Sequence, residues 1–591
     1  MINKLFTPFG ENVENIPLDV YPRPQLERDF WQNLNGTWEF GIYGTRELFG
    51  GYKSKILVPF SPESILSGVE RQVTPEDTAY YRKKFDFRRV RDVVLLHFGA
   101  VDYRCAILLN GKLVGKHRGG YFPFALDISD VVKDGENVLE VRVTDPSNTG
   151  VQAFGKQSLD RGGIWYTAQS GIWQTVWIEQ TVKNFVKEIK LTPDVDRAEM
   201  TIELNYAKER EGFMLFLYTD QGELRYSSPS PTMTLDLSGM LFLWTPETPV
   251  LYHAKIITVS GDCFKTYFAM RKVSVEKCGK FTRIMLNNRP YFQKGLLDQG
   301  YWSDGLYTPP SDEAMIYDIK MMKSMGFNML RKHIKIEPLR WYYHCDRLGM
   351  LVWQDVVSGG EIKGGRKRVY PLYEKLTGKK RVKKILKDND GKNYEELGRD
   401  NAEGRKEYYS DLTDTVRLLY NSPSVVLWTT FNESWGQFDS VKATEIVKGL
   451  DKTRLVDHAS GWWDQGASDV NSLHNYDRRP WYPKYGKKDK RAVVLSEYGG
   501  LTYSPGPDHV FDTEKKCGYR GFKDADSCTD AFVALQKKLK KAIKRKGLCA
   551  AVYTQVSDVE EELNGLLSYD RKVVKVNAKK IKEINDTLVI E

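Results

Sequence analysis

The sequence lacks the patterns of a metalloprotein, a disulfide-bonded protein or a membrane protein. Its seven cysteines form no CxxC pair, and because an odd number cannot pair completely within one chain, we interpret them as reduced thiols. The eight histidines form no HExxH motif, so no metal is expected. There is also no apolar run of about eighteen residues, which argues against a membrane-spanning helix.

The first residues, MINKLFTPFGENVENIPLDVYPRPQ, lack the basic start, the apolar stretch and the small-residue cleavage site of a secretory leader. We therefore expect a cytoplasmic protein with no membrane partner. A chain of 591 residues exceeds the size of one hydrophobic core, so several domains are expected.

The net charge of +10 comes largely from two basic stretches. One is an insertion at residues 359–400, and the other contains Lys487, Lys488, Lys490 and Arg491. Solvated loops are the favoured interpretation, and an electropositive rim that attracts acidic glycans is the alternative. Nucleic acid is not an expected partner, because no recognised binding motif accompanies the charge.

Two β-rich segments precede a different C-terminal pattern. Residues 1–182 contain short alternating runs such as VVLLHFGA and RCAILLNGKLVG with a turn at Asn110-Gly111, which predicts antiparallel strands in a β-sandwich. Residues 183–278 continue in strands, and the length of this segment fits an immunoglobulin-like sandwich.

Residues 279–591 alternate short apolar strands with amphipathic helical stretches, which is the pattern of a (β/α)8 TIM barrel. Ser311 is a predicted helix N-cap, and Gly326 is predicted to close that helix. Eight candidate strands can be counted, at residues 289–298, 327–333, 350–356, 424–433, 454–460, 471–476, 492–499 and 549–558.

Two carboxylates follow strands that would end at the same mouth of this barrel. Glu433 ends the fourth strand and Glu497 ends the seventh, and residues at the carboxyl ends of barrel strands face the active site. A single strand-end glutamate is better explained by an ion pair with Arg331 or Lys335. A pair can cleave a glycosidic bond, and mutual repulsion is expected to raise the pKa of one member.

The segments PSVVLWTTFNESWG and VVLSEYGG resemble the acid/base and nucleophile signatures of glycoside hydrolase family 2. RPQLERDFWQNLNGTWEF and SGIWQTVWIE resemble the opening and closing parts of the family's N-terminal sugar-binding jelly roll. GFNMLRKH and WYYHCDRLGMLVWQD resemble its second and third barrel strands, so the resemblance runs from about residue 20 to the end.

The resemblance implies a retaining exo-β-glycosidase, with Glu433 as acid/base and Glu497 as nucleophile. It also implies that Arg331 keeps the nucleophile ionised, that Asn432 touches the sugar 2-hydroxyl and that Tyr476 lies near Glu497. The residues expected to bind substrate at the strand ends are Asp298, Arg331, His333, Asp355, Asn432, His474, Tyr476 and Gln555.

The identity of the sugar is where the sequence departs from the family pattern. The second strand reads Arg331-Lys332-His333 instead of continuing R-x-S-H-Y-P, and no Asn-x-Lys motif for a sugar carboxylate follows the nucleophile. A β-galactosidase is the leading prediction. A β-glucuronidase or β-galacturonidase is the alternative, in which Lys335, Arg366 or Lys367 would bind the carboxylate.

Two other classes of protein compete with the enzyme. A non-catalytic carbohydrate-binding protein would need only the sandwiches, and a scaffolding protein would have its strand-end carboxylates ion-paired. The presence of both glutamates with Asn432 favours the enzyme, with a carbohydrate as its partner and a homo-oligomer left open.

Overall fold

The computed structural model describes residues 2–220, 222–360, 387–433, 435–477 and 489–590. The part of the basic insertion at 361–386 and the segment 478–488, with Lys487 and Lys488, lie outside the described residues. No helix in the described part is both long and apolar enough to cross a membrane.

The N-terminal segment is a jelly-roll sandwich of two antiparallel sheets, as predicted. Asn110 and Gly111 have φ values of 52° and 79°, the left-handed conformations that a two-residue hairpin turn requires. One sheet has the strand order Trp31–Asn33, Val176–Thr181, Val93–Phe98 and Phe124–Asp127. The other has the order Ser54–Val58, Gly36–Gly44, Asp77–Phe87, Gly135–Thr144, Arg104–Leu109 and Lys112–Arg118.

The next segment is a smaller sandwich, also antiparallel. Its inward-facing residues form a separate apolar core that includes Ile202, Leu215 and Ile256, each less than 1% exposed. One sheet has the order Val186–Asp194, Glu199–Tyr206 and Thr232–Asp236. The other has the order Gly222–Ser228, Phe213–Thr219, Tyr252–Thr258 and Cys263–Phe268.

A hairpin joins this sandwich to the C-terminal domain. Val273–Cys278 pairs with Phe281–Leu286, and Val273 and Ile284 share an apolar core with residues of the barrel strands. The predicted boundary at residue 278 falls in the turn of this hairpin. The domain limits at 182 and 278 stay predictions.

All eight predicted barrel strands are present and parallel, in a single sheet that is nearly closed. Their apolar residues are buried on both faces, as expected for strands enclosed by helices. The barrel strands are labelled β1 Gln293–Asp298, β2 Met329–Lys332, β3 Leu351–Asp355, β4 Val425–Thr429, β5 Leu455–Asp457, β6 Val470–Asn475, β7 Ala492–Gly499 and β8 Leu548–Thr554.

Helices surround the strands, and the first begins where the sequence predicts. The side chain of Ser311 accepts a hydrogen bond from the Ala314 amide, and Gly326 takes the left-handed conformation just beyond the helix end. The described α-helices are α1 Asp312–Ser324, α2 Leu339–Leu348, α3 Gly391–Tyr394, α4 Ala402–Leu419, α5 Ser440–Leu450, α6 Ala525–Lys546 and α7 Ala578–Asn585.

A loop of the jelly roll reaches the barrel mouth. Ala153 forms a β-bridge with Gly359, which follows β3, and the Thr167 amide donates to Glu560 beyond β8 at 2.8 Å. The N-terminal domain therefore contributes side chains to the end of the barrel where the strand-end residues meet.

Arg271 joins the second sandwich to the barrel through backbone carbonyls, and its side chain is almost fully buried. It donates to the carbonyls of Pro423, Val425 and Thr453 at 2.8–2.9 Å. Arg271→Met should lower the free energy of unfolding by about 2–3 kcal/mol, because the carbonyls of Pro423 and Thr453 lose this donor and that of Val425 keeps only Arg454. Urea titration followed by tryptophan fluorescence measures this change.

Lys272→Met is the matched control for this prediction. Lys272 is the neighbouring residue, and its ion pair with Asp196 lies at a solvated surface. It should change the free energy of unfolding by less than about 1 kcal/mol. Equal midpoints for the two variants would contradict the role of Arg271.

Candidate active site

Glu433 lies four residues beyond β4, and its backbone is held by hydrogen bonds to the segment that follows β5. Its amide donates to the Ser460 carbonyl at 2.9 Å, and the Ser460 amide donates to Phe431 at 2.8 Å. Glu433 has a φ of 48°, a left-handed conformation that is uncommon for a residue with a side chain. Such local strain persists where surrounding contacts hold it, and it occurs often at functional sites.

Glu497 lies in β7, directly across the strand pair from His474 in β6. One carboxylate oxygen of Glu433 lies within 4.8 Å of one carboxylate oxygen of Glu497. The Glu497 side chain is 5% exposed and that of Glu433 is 22% exposed. The two acidic groups from distant strands therefore meet at one place, and Glu433 is the one that solvent reaches.

Arg331, at the end of β2, is fully buried and uses all five of its N–H donors. Its Nε and Nη2 bind the two oxygens of Asp355, each at 3.0 Å. Its Nη1 binds Glu497 Oε1 and the Ser496 carbonyl, each at 3.1 Å, and Nη2 also binds Asn432 Oδ1 at 2.8 Å. One guanidinium therefore connects the ends of β2, β3, β4 and β7.

His474 lies between the two glutamates. Its Nδ1 is 2.7 Å from Glu433 Oε1 and 3.2 Å from Glu497 Oε2, while its Nε2 is 3.0 Å from Ser460 Oγ. A side chain at Gly461 would put its Cβ 2.5 Å from the imidazole, so glycine is required there. The missing side chain at Gly461 leaves room for His474 to contact both carboxylates.

The expected rise in one carboxylate pKa is not found at Glu433. Burial raises the pKa of Glu433, but the hydrogen bond and charge of His474, with the charges of Lys156 and His333, more than offset it. The pKa falls to about 2. The prediction considered only repulsion from Glu497, whereas the folded chain places an imidazole between the two carboxylates.

Tyr476 follows β6 and also contacts Glu497. Its hydroxyl donates to Glu497 Oε2 at 2.5 Å, and its ring stacks on Tyr519 with centroids 3.8 Å apart. Burial first, and then the charge of Glu497, raise the pKa of Tyr476, so the phenol remains a donor. Tyr519 lies in the long segment after β7 and was not anticipated from the sequence.

Like Arg331, Asn432, His474 and Tyr476, three further predicted substrate-binding residues have protein partners. Asp298 binds Lys332 at 2.7 Å, and Gln555 accepts from Gln299 at 2.8 Å and is fully buried. Asp355 is the third residue. These bonds place each of them in the wall of the site. Their direct contact with a sugar stays a prediction.

His333 is also held by Asp355, whose Oδ2 lies 2.8 Å from His333 Nδ1. Burial lowers the pKa of His333 in spite of this contact. The side chain is almost fully buried. His333 therefore supports the Arg331–Asp355 pair, and its contact with substrate stays a prediction.

Lys335 does not serve as the predicted carboxylate-binding residue. Its Nζ donates to the carbonyls of Gly300 and Tyr307 at 2.6 and 2.8 Å and lies 2.9 Å from Glu337. The side chain is fully buried, so no donor is left for a substrate. Its two proposed alternatives, Arg366 and Lys367, lie outside the described residues.

The jelly-roll loop adds residues that sequence reasoning missed. The Trp165 ring meets the Trp435 ring edge to face with centroids 5.1 Å apart, and Lys156 Nζ lies 5.4 Å from the Trp165 centroid. Neither Lys156 nor Trp165 belongs to a motif, and no sequence pattern links them to strands nearly 280 residues away.

Glu433, His474 and Glu497 are also the residues best placed to hold a cation. Within the described stretches they form the one group of three acidic, histidine or cysteine side chains whose ligand atoms lie within 4.8 Å of one another. The same atoms hydrogen bond within the group. The expected absence of a metal stays a prediction.

Two family models match the chain. "Glycosyl hydrolases family 2, TIM barrel domain" matches residues 280–506, and "Glycosyl hydrolase 2 galactose-binding domain-like" matches residues 62–175. The chain belongs to glycoside hydrolase family 2. The family 2 assignment confirms the resemblance noted in the sequence and the multidomain fold.

The chain is similar to family 2 proteins with different names. It is 24% identical to a β-galactosidase of Lactococcus lactis over 83% of this chain and 49% of that protein. The chain spans 34% to 51% of the length of the curated relatives that it matches.

Solved structures of family 2 proteins share the fold over almost the whole chain. A β-galacturonidase from Eisenbergiella tayi bound to galacturonate is 18% identical, with a TM-score of 0.70 over 96% of this chain and 99% of that one. A β-glucuronidase of Ruminococcus gnavus in complex with uronic isofagomine is 17% identical, with a TM-score of 0.73 over 96% of this chain and 99% of that one.

His474→Asn should shift the pH profile of hydrolysis. Removing the imidazole removes the bond that lowers the pKa of Glu433 and leaves the effect of burial, so this pKa rises. A group that must be protonated stays active to higher pH when its pKa rises. The alkaline limb of kcat/KM against pH should therefore move upward, measured with an aryl β-glycoside.

His509→Asn is the matched control for the pH profile. His509 pairs with Asp570 in a surface segment and is not in contact with either glutamate. This variant should keep the native profile. A native profile in the His474 variant would show that His474 does not set the pKa of Glu433.

Proposed function

We propose that the protein is a retaining exo-β-glycosidase that removes a terminal β-linked sugar through a covalent glycosyl-enzyme intermediate. Membership of family 2 and the pair of carboxylates at the barrel mouth support this proposal. A carbohydrate is the proposed partner, and no cofactor takes part in the proposed reaction.

The spacing of Glu433 and Glu497 is the observation that carries the proposal. Their nearest oxygens lie within 4.8 Å, which is close to the separation of about 5–5.5 Å typical of retaining enzymes. Inverting enzymes need about 6.5–9.5 Å, because a water molecule must fit between the general base and the sugar. The closer spacing supports direct attack by one carboxylate.

Glu497 is assigned as the nucleophile because two donors hold both of its carboxylate oxygens in a fixed position. Arg331 Nη1 and the Tyr476 hydroxyl donate to its two oxygens at 3.1 and 2.5 Å. A nucleophile held in this way is preorganised for attack. Attack of an oxygen of Glu497 on the anomeric carbon forms the ester intermediate as the glycosidic bond breaks.

Glu433 is assigned as the acid/base because it is the more exposed carboxyl and shares a hydrogen bond with His474. It protonates the leaving oxygen in the first step and removes a proton from water in the second. His474 Nδ1 lies 2.7 Å from Glu433 Oε1, so the imidazole holds the carboxyl that transfers the proton. Proton transfer from Glu433 to the glycosidic oxygen accompanies departure of the aglycone.

Asn432 is assigned to the sugar 2-hydroxyl. Its Oδ1 accepts from Arg331, which orients the amide and turns Nδ2 away from the guanidinium. A donor held in this way can strengthen its bond to the sugar as charge develops in the transition state.

A β-galactoside is the sugar that the sequence favours, and a β-uronide is the alternative. Relatives named β-galactosidase and structural neighbours named β-glucuronidase and β-galacturonidase support both at low identity. A carbohydrate-binding protein without activity or a scaffold would turn over no glycoside, and family 2 membership favours the enzyme over both.

Glu497→Gln should abolish turnover while leaving the fold intact, because an amide cannot form the glycosyl ester. The measurement is hydrolysis of aryl β-D-galactoside, glucuronide, galacturonide, glucoside, mannoside and α-L-arabinopyranoside, with circular dichroism to check folding. Glu445→Gln, on the exposed face of α5, is the matched control and should keep full activity. Unchanged hydrolysis by the Glu497 variant would reject the mechanism.

Glu433→Gln should separate the two steps of the reaction. Aryl glycosides with good leaving groups need little protonation, so the glycosyl-enzyme should form and then persist because no base activates water. Sodium azide should restore turnover and give the β-glycosyl azide.

Proton NMR of the native reaction should show the β anomer first, and an α anomer as first product would contradict retention.

A further inference from the structure

Lys156 has a fixed position at the edge of the catalytic site. It lies on the jelly-roll loop, and the amides of Phe154 and Gly155 both donate to the Ser358 carbonyl, at 3.1 and 2.9 Å. The Lys156 carbonyl accepts from the Tyr166 amide at 3.0 Å. The backbone on both sides of the lysine is therefore held against the barrel.

The charge of Lys156 is buried and faces catalytic groups. The residue is 8% exposed, and its charge acts electrostatically on Glu433, His333 and Glu562. Its Nζ lies 5.4 Å from the Trp165 ring centroid, and Trp165 packs against Trp435, two residues after Glu433. The ammonium therefore lies beside the segment that carries Glu433.

Lys156 differs from the other buried lysines in the described residues. Lys332 and Lys575 form ion pairs with carboxylates, and Lys335 donates to a carboxylate and two carbonyls. Within residues 2–220, 222–360, 387–433, 435–477 and 489–590, Lys156 has no ion pair and no side-chain hydrogen bond. Burying an ammonium is costly unless an anion compensates it.

The acidic loop after β8 holds the jelly-roll loop and does not neutralise the lysine. Glu560 accepts from the Thr167 amide at 2.8 Å, and Glu562 accepts from the Tyr166 hydroxyl at 2.5 Å. These carboxylates are used to fix the loop. The cation is therefore preorganised without being paired, which is the state expected of a binding group.

An aromatic wall lies beside the lysine. Trp435, two residues after Glu433, packs against Trp165 with centroids 5.1 Å apart and against Phe154 with centroids 5.6 Å apart. Trp165 is the partly exposed ring of the three, and an aromatic ring next to a single cation suits a sugar that carries one anionic group.

We propose that Lys156 binds an anionic oxygen group on the sugar that is cleaved, so that the enzyme prefers acidic β-glycosides. The group is a carboxylate in a uronide or a sulfate ester in a sulfated sugar. This inference rests on the proposed glycosidase function and favours the acidic sugar over the neutral β-galactoside.

Lys156→Gln tests the proposal through selectivity. The variant should lose about one to two orders of magnitude in kcat/KM on aryl β-glucuronide or β-galacturonide, because a charged hydrogen bond is lost. Hydrolysis of the matching glucoside and galactoside should change by less than about twofold. Lys156→Arg should restore part of the preference, and a 6-sulfated aryl galactoside distinguishes sulfate from carboxylate recognition.

A structural or counter-ion role for Lys156 predicts a different result. In that case Lys156→Gln would lower kcat/KM equally on charged and neutral substrates, and the proposal would be wrong. Lys515→Gln removes an exposed lysine 4.0 Å from Glu561 and is the control for loss of charge at the rim.

A direct measurement of sugar binding tests the inference about Lys156 even if the protein hydrolyses no glycoside. Calorimetric titration of the native protein with D-glucuronate, D-galacturonate and D-galactose should show tighter binding of an acid. Lys156→Gln should remove this difference. Equal affinities for acid and neutral sugar in the native protein overturn the inference whether or not any glycoside is hydrolysed.

Discussion

The buried guanidinium of Arg331 is the interaction on which the site depends. A charge in this position is tolerated because five acceptors surround it, and two of the acceptor side chains are carboxylates, Asp355 and Glu497. Those acceptors come from the ends of different barrel strands. The same bonds therefore fix the mutual position of the strand ends and hold the carboxylate of the proposed nucleophile in place.

The second constraint is the imidazole between the two glutamates. Two carboxylates within 4.8 Å repel each other, and repulsion alone would raise one of their pKa values. His474 Nδ1 contacts both, and the effect is a lower pKa at Glu433. The hydrogen bond from His474 therefore opposes the protonation that burial alone would favour at Glu433.

The N-terminal sandwich is part of the site and not a separate module. Its loop forms a β-bridge with Gly359, after β3, and donates a backbone hydrogen bond to Glu560, beyond β8. Through these contacts Lys156 and Trp165 reach the barrel mouth. A truncated barrel would keep both glutamates but lose the cation and part of the aromatic wall.

The sequence by itself determined the eight barrel strands, the sandwich ahead of them and the two strand-end glutamates. The spacing of apolar residues, the turn residues and the position of a residue at a strand end are local properties of the chain. Only the tertiary structure decided which charges meet. The pairing of Arg331 with Asp355, the insertion of His474 and the arrival of Lys156 each join residues far apart in the chain. Their energies depend on distance and burial, which no local pattern carries.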